Sequence, residues 1–199
     1  MVLRLPGRGV GRRRILGLAL GASAVPVLAT VAARAAPAAA PLPPAALGRR
    51  VAEVAAAQIG VPYAWGGGDR LGAGIGFCDE ENGYLDGQCL GEHTVGFDCS
   101  GLSLYSWYRA SGGAVDLAHY TVAQYHRSEP VARADLLPGD LLFFSRADAP
   151  LHHVGVHAGD GAMIHAERTG TLVTRLPGVF EDPRWAAEFA DARRPLPLG

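Results

Sequence analysis

The 199-residue chain carries 18 Lys+Arg against 19 Asp+Glu and is 49% hydrophobic, enough for one domain with a buried core. All 18 basic residues are arginine, and six of them fall in residues 1–35, whereas the first acidic residue is Glu53. The formal charge of −1 therefore conceals an acidic remainder, 12 arginines against 19 acids after residue 35, which excludes a nucleic-acid binder relying on a basic footprint.

Residues 1–35 read as an export signal. Arg4, Arg8 and Arg12-Arg13-Arg14 form a basic head, and Ile15 to Ala33 is apolar. Ala33-Arg34-Ala35 places small residues at the two positions a signal peptidase reads, so cleavage is expected after Ala35. The run is diluted by Gly17, Gly21 and Pro26, a poor bilayer span, so no stable membrane anchor is expected once the signal is removed. The triple arginine hints at the twin-arginine route beside the Sec route. Residues 36–44 form a Pro/Ala linker, and 45–199 the expected globular domain.

A helix is expected over Ala45 to Ile59, with Leu47, Val51, Val54 and Gln58-Ile59 on its apolar face and Gly60 at its end. Val61 to Trp65 is extended, since Pro62 disfavours helix before it. Residues 69–96 form an irregular, acidic and Gly-rich insertion, in which Cys78 and Cys89 bracket a polar loop. In an exported protein this pair is a disulfide candidate. A second helix starts at Asp98 or Cys99, with Leu102, Tyr105 and Tyr108 on its apolar face, and ends near Gly112-Gly113. A helical turn follows at Thr121 to His126. Leu137-Pro138-Gly139-Asp140 is a turn before the strand Leu141–Phe144. A hairpin pairs 152–158 with 162–167, and Leu172–Arg175 completes the sheet. Helices followed by antiparallel strands make an α+β pattern.

The remaining cysteine, Cys99, sits at a helix N-terminus, where the macrodipole favours thiolate. Hairpin geometry decides whether His153 and His165 can cooperate with each other. With a two-residue loop, Asp160-Gly161, His165 opposes Val156 and His153 points to the other face. A three-residue loop, Gly159-Asp160-Gly161, opposes Ala158 with Ala162 and His165 with Gly155, so both imidazoles share a face. The opposite face then gathers Val154, Val156, Ala158, Ile164 and Ala166, which favours this register. Gly155 leaves an open spot, and the Cys99 helix is its expected occupant. Cys99 is thus a nucleophile candidate, His153 its base, and His165 the group that orients His153. His152 and His157 enrich the hairpin in histidine, but no cysteine or carboxylate spacing supports zinc, and no metal or other cofactor is expected.

Six motifs in order resemble the NlpC/P60 family of cell-wall cysteine peptidases: Pro62 to Gly67, Phe97 to Leu102, Thr121 to Gln124, Leu137 to Phe144, His153 to Val156, and Ile164 to Ala166. The resemblance implies a papain-like α+β core with N-terminal helices packed on an antiparallel sheet. It implies a Cys-His-His triad of Cys99, His153 and His165. It also places Tyr63 beside the thiol and makes Asp98, Ser100 and Thr121 substrate contacts. The implied substrate is the peptidoglycan stem peptide, cut between D-γ-glutamyl and a diamino acid. The export signal makes the expected enzyme a secreted one, and nothing in the sequence demands more than a monomer. An amidase or acyltransferase with the same triad, and a non-catalytic wall-binding module, are the alternatives. Three departures stand out. The insertion is long, His119-Tyr120 precedes Thr121 where an arginine is common, and no separate wall-binding module fits.

Overall fold

A computed structural model describes residues 42–197. The expected export signal and residues 36–41 of the linker lie outside the described residues. Among those described, no helix is long and apolar enough to cross a membrane.

Helix α1 (Pro44–Ala56) opens on a proline at its first turn, where the missing N–H costs nothing. It stops before the expected Ile59, because Gln58 and Ile59 donate to carbonyls only three residues back, and Gly60 turns the chain at φ 93°. Its buried stripe is Gly48, Val51, Ala52 and Ala55. Leu47 and Val54 only flank it, and Ile59 is exposed. The stripe is turned because α1 must lie close to the Leu137–Asp140 turn. A methyl group on Gly48 would collide with the Pro138 carbonyl, a backbone atom that has little room to retreat. Gly48→Ala is therefore expected to lower unfolding free energy by about 1–3 kcal/mol, read by urea denaturation; unchanged stability would show that the two segments separate without cost.

The insertion is more ordered than expected. Strand β1 (Gly74–Ile75) pairs with β4 (Val95–Gly96), and β2 (Tyr84–Leu85) with β3 (Gln88–Cys89). Asp86 and Gly87, both at positive φ, turn the second ribbon, and a disulfide joins Cys78 to Cys89. Helix α2 (Cys99–Ser111) is capped by the Asp98 carboxylate and ends on Gly112 at φ 64°. It is buried far beyond the expected face: Leu104 and Trp107 are covered as fully as Leu102, whereas Tyr105 and Tyr108 are half-buried. Helix α1 covers one flank and the sheet another, and buried Ser103 and Ser106 return their hydroxyls to helix carbonyls. Helix α3 (Thr121–His126) falls where expected.

The main sheet contains β5 (Ser128–Pro130), β6 (Leu141–Phe144), β7 (His153–Gly159), β8 (Ala162–His165), β9 (Thr174–Leu176) and β10 (Phe189–Pro195). The order is β5-β10-β6-β7-β8-β9, antiparallel throughout. Helix α4 (Pro183–Glu188) precedes β10. Strands β5 and β10 carry no clear sequence signal, and helix α4 only the Asp182-Pro183 pair at its start. Arg193 and Arg194 interrupt the apolar pattern of β10, and each finds its partner far away. Arg194 forks onto the buried Asp140 at 2.7 and 2.8 Å, and Arg193 covers the Tyr125 ring at 3.5 Å.

The hairpin reaches the expected pairing by another route. Its loop is the two-residue Asp160-Gly161, both residues left-handed, the preferred hairpin geometry. A bulge between His157 and Gly159 then shifts the register by one, so Val156 pairs with Ile164 and His165 faces Gly155. Val154, Val156, Ile164 and Ala166 join Phe97, Leu102 and Trp107 in one core. Leu142, Phe144, Met163 and Trp185 form a second core on the other face.

Candidate active site

Cys99 is the first residue of α2, His153 the first of β7 and His165 the last of β8. Cys99 and His153 line a single cleft of about 900 Å³ together with Tyr63, Asp98, Ser100 and Thr121. His165 stands behind His153, with His153 Nε2 3.0 Å from His165 Nδ1. The Cys99 sulfur lies 3.8 Å from Thr121 Oγ1, and the Val154 backbone, next to His153, favours its thiolate form. The expected docking of α2 at Gly155 does not occur. Met163 fills that spot, and a methyl group on Gly155 would strike its sulfur. Cys99 instead packs with Val154 and Val156 on the opposite face of the sheet.

Electrostatics also depart from expectation. Burial pushes the Cys99 thiol up to about 12, and the Asp98 carboxylate adds to the rise, against smaller opposing pulls from Val154, Thr121 and Ser100. Desolvation is therefore the largest influence on the thiol, ahead of the hydrogen bonds that favour thiolate. Burial also holds His153 well below its ordinary value, with further repulsion from His165, His152 and Arg184. The resting pair is a neutral thiol and a neutral imidazole. If the His153 Nε2–H donates to His165 Nδ1, His153 Nδ1 keeps a free lone pair, as a proton acceptor needs.

Asp98 ties the cleft floor together. It accepts from the N–H groups of Gly66 (3.0 Å) and Gly101 (2.7 Å) and from the Ser100 hydroxyl (2.9 Å). His119 Nε2 lies 2.9 Å from both carboxylate oxygens. This hydrogen bond raises the His119 pKa against the effect of burial. His119, from the His119-Tyr120 pair that precedes Thr121 where an arginine is common, is thus bound to Asp98. Tyr63 is held as a neutral phenol, its pKa raised first by burial and then by Cys99 and Asp98.

Two contributors escaped the sequence reading. The Trp185 ring packs against both imidazoles, 5.0 Å from His153 and 5.1 Å from His165 between centroids. Its signal was Asp182-Pro183, a helix N-cap followed by proline, and Asp182 does accept from the Arg184 and Trp185 N–H groups. Gln124 is fully buried. It accepts from Ser103 Oγ and donates to the carbonyls of Ser100 and Ala118, locking α3 onto the first turn of α2. The other hairpin histidines are structural: His157 bonds the Leu137 carbonyl, and His152 lies 3.2 Å from Glu188. Among the described residues no group of three His, Cys, Asp or Glu is arranged to hold a metal.

His165 gives the fold a pH dependence. Burial, aided by Arg184 and opposed by Glu167, lowers it from 6.5 to about 4. The unfolded chain therefore binds a proton between those values that the folded one refuses. Stability should fall by about 2–3 kcal/mol as pH drops from 6.5 towards 4. Urea titrations across that range test this, with His165→Asn expected to reduce the slope while buried His153, also held below its ordinary value, keeps part of it. His119 acts in the opposite sense, since its raised pKa adds stability present below 6.5 and lost as pH rises through its folded value.

Helices packed on an antiparallel sheet, with a cysteine opening the central helix and a histidine opening a strand, define the papain-like α+β class. The model of the NlpC/P60 family matches residues 60–194, and the chain belongs to that family. Over 120 residues it is 37% identical to peptidoglycan endopeptidase RipA of Mycolicibacterium smegmatis, a match covering 60% of this chain and 21% of RipA. It is 35% identical over 123 residues to peptidoglycan endopeptidase RipB of Mycobacterium tuberculosis, covering 62% of this chain and 44% of RipB. A solved structure of the resuscitation promoting factor interacting protein RipA superposes with a TM-score of 0.56 at 33% identity, covering 76% of this chain and 65% of that one. The chain thus spans less than half the length of these curated relatives.

Proposed function

We propose that the protein is an exported cysteine endopeptidase acting on peptidoglycan stem peptides, at the bond between D-γ-glutamyl and a diamino acid. One observation carries the reading: Cys99 and His153 line one cleft, and His153 is held from behind by His165 at 3.0 Å. The names of the relatives, peptidoglycan endopeptidases, support the substrate class. The Cys78–Cys89 disulfide supports an oxidising compartment outside the cytosol, in keeping with cleavage of a signal after residue 35.

In this reading the Cys99 sulfur attacks the γ-amide carbonyl as His153 Nδ1 takes its proton. The backbone N–H of Cys99 donates to the oxyanion. Collapse of the tetrahedral intermediate breaks the C–N bond, His153 returns the proton to the leaving amine, and a thioester remains. Water, deprotonated by His153, then releases the acid and the free thiol. Because the resting pair is neutral, the thiolate forms together with attack and has no standing population. His165 and Trp185 fix the imidazole ring while it changes charge.

The test is incubation of the protein with sugar-linked muropeptides and with sugar-free stem peptides, beside a Cys99→Ala control, read by mass spectrometry. New products ending at the γ-glutamyl residue are expected only with the wild type. Intact peptides of both kinds after wild-type treatment would overturn the proposal.

A further inference from the structure

The insertion reaches into the cleft. Glu81, Asn82, Tyr84 and Leu85 line it, and all lie inside the loop that the Cys78–Cys89 disulfide closes. The loop is fixed at both ends. Asp79 accepts the Trp65 indole N–H at 2.9 Å, and the Gly83 carbonyl accepts from Leu90 and Gly91 at 2.9 and 3.0 Å.

Its tip crosses to the far bank. A methyl group built on Gly170 would lie 3.0 Å from Leu85 Cδ2, so the Leu85 side chain rests on the Arg168–Thr171 turn. That turn is braced by Thr171 Oγ1 on the Arg168 carbonyl at 2.7 Å. It abuts Tyr63, whose N–H donates to the Thr171 carbonyl at 2.9 Å. The ribbon therefore spans the cleft beside Tyr63. His152, His153, Arg184 and Trp185 line the same cleft.

The chemistry gives the cleft a polarity. A proton taken from Cys99 returns to the leaving amine through His153, so the leaving half of a peptide lies on the His153 side. The acyl half, which carries the amino end of the substrate, extends towards Tyr63 and meets the ribbon. We propose that the β2–β3 ribbon is a strap that closes the acyl end of the cleft and selects stem peptides with a free amino end over those still linked to sugar. This deepens the endopeptidase reading and rests on it. The selection is by exclusion: a bulky group beyond the strap cannot be seated without displacing Leu85. The disulfide keeps the strap from swinging aside, since it restricts the conformations open to the loop.

The experiment compares two probes, a sugar-free stem peptide with a free amino end and the same peptide amide-linked to N-acetylmuramic acid. Wild-type kcat/KM should favour the free peptide by about tenfold or more, which is about 1.4 kcal/mol. The double variant Tyr84→Ala, Leu85→Ala should bring the ratio towards one, and so should Cys78→Ser, Cys89→Ser, which leaves the tip intact. Equilibrium binding of both probes to Cys99→Ala protein reads the same preference with no turnover. Equal handling of both probes by the wild type, or an unchanged ratio in both variants, overturns the strap. Neither binding nor cleavage of either probe by folded protein overturns the endopeptidase reading itself, and the strap with it.

Discussion

Replacing Cys99 by alanine is expected to reduce stem-peptide cleavage by roughly a thousandfold or more while the fold persists. The sulfur is the atom that must bond to the carbonyl carbon, and no second cysteine is free among the described residues to replace it. The side chain is buried, but alanine keeps its Cβ, so stability should change by only about 1 kcal/mol. His153→Ala should cause a loss of similar size, because a thiol raised to about 12 has no standing thiolate at neutral pH. The double variant should then be little worse than either single one, since the two groups act as a unit. Steady-state kinetics on the three proteins, with circular dichroism to verify folding, checks this. A fully active His153→Ala protein would remove the proton-transfer step from the mechanism.

The second large effect belongs to Trp185. Truncation to alanine should destabilise the protein by about 3–5 kcal/mol. The ring is buried, and it packs edge-on against Phe144 at 4.8 Å as well as against the two imidazoles. A cavity there also frees His153 to rotate away from the thiol. Activity should therefore fall at least tenfold in the fraction that remains folded, mainly in kcat. Trp185→Phe retains an aromatic plate and should recover most of both losses. Urea denaturation and kinetics on the pair would settle it, and equal losses in the phenylalanine variant would point to a role for the indole other than packing.

What the sequence disclosed follows the range of each interaction. Cys99 at a helix start was legible because Asp98 caps the helix from the preceding position. The helix at Thr121–His126 and strand Leu141–Phe144 were legible for equally local reasons. The facing of His153 and His165 followed from strand alternation, although a bulge supplied what the loop length was expected to supply. Legibility ended where distant segments meet. Met163 in the Gly155 gap, Trp185 over the imidazoles and Leu85 on Gly170 each join residues that no short window contains. The thiol follows the same logic. Its helix-end position was visible, but the enclosure that pushes its pKa upward is assembled by the whole fold.

Strand β10 is last in the chain yet occupies an interior place in the sheet, between β5 and β6. During synthesis, β6 to β9 can pair while the place between β5 and β6 stays empty until residues 189–195 arrive, and Trp185, just upstream of that strand, has no settled position before then. Such pairing between distant segments is slow to form. A partly emerged polypeptide therefore assembles the strands that carry its imidazoles before it gains the indole that braces them, and the reactive geometry is completed by residues 185–195.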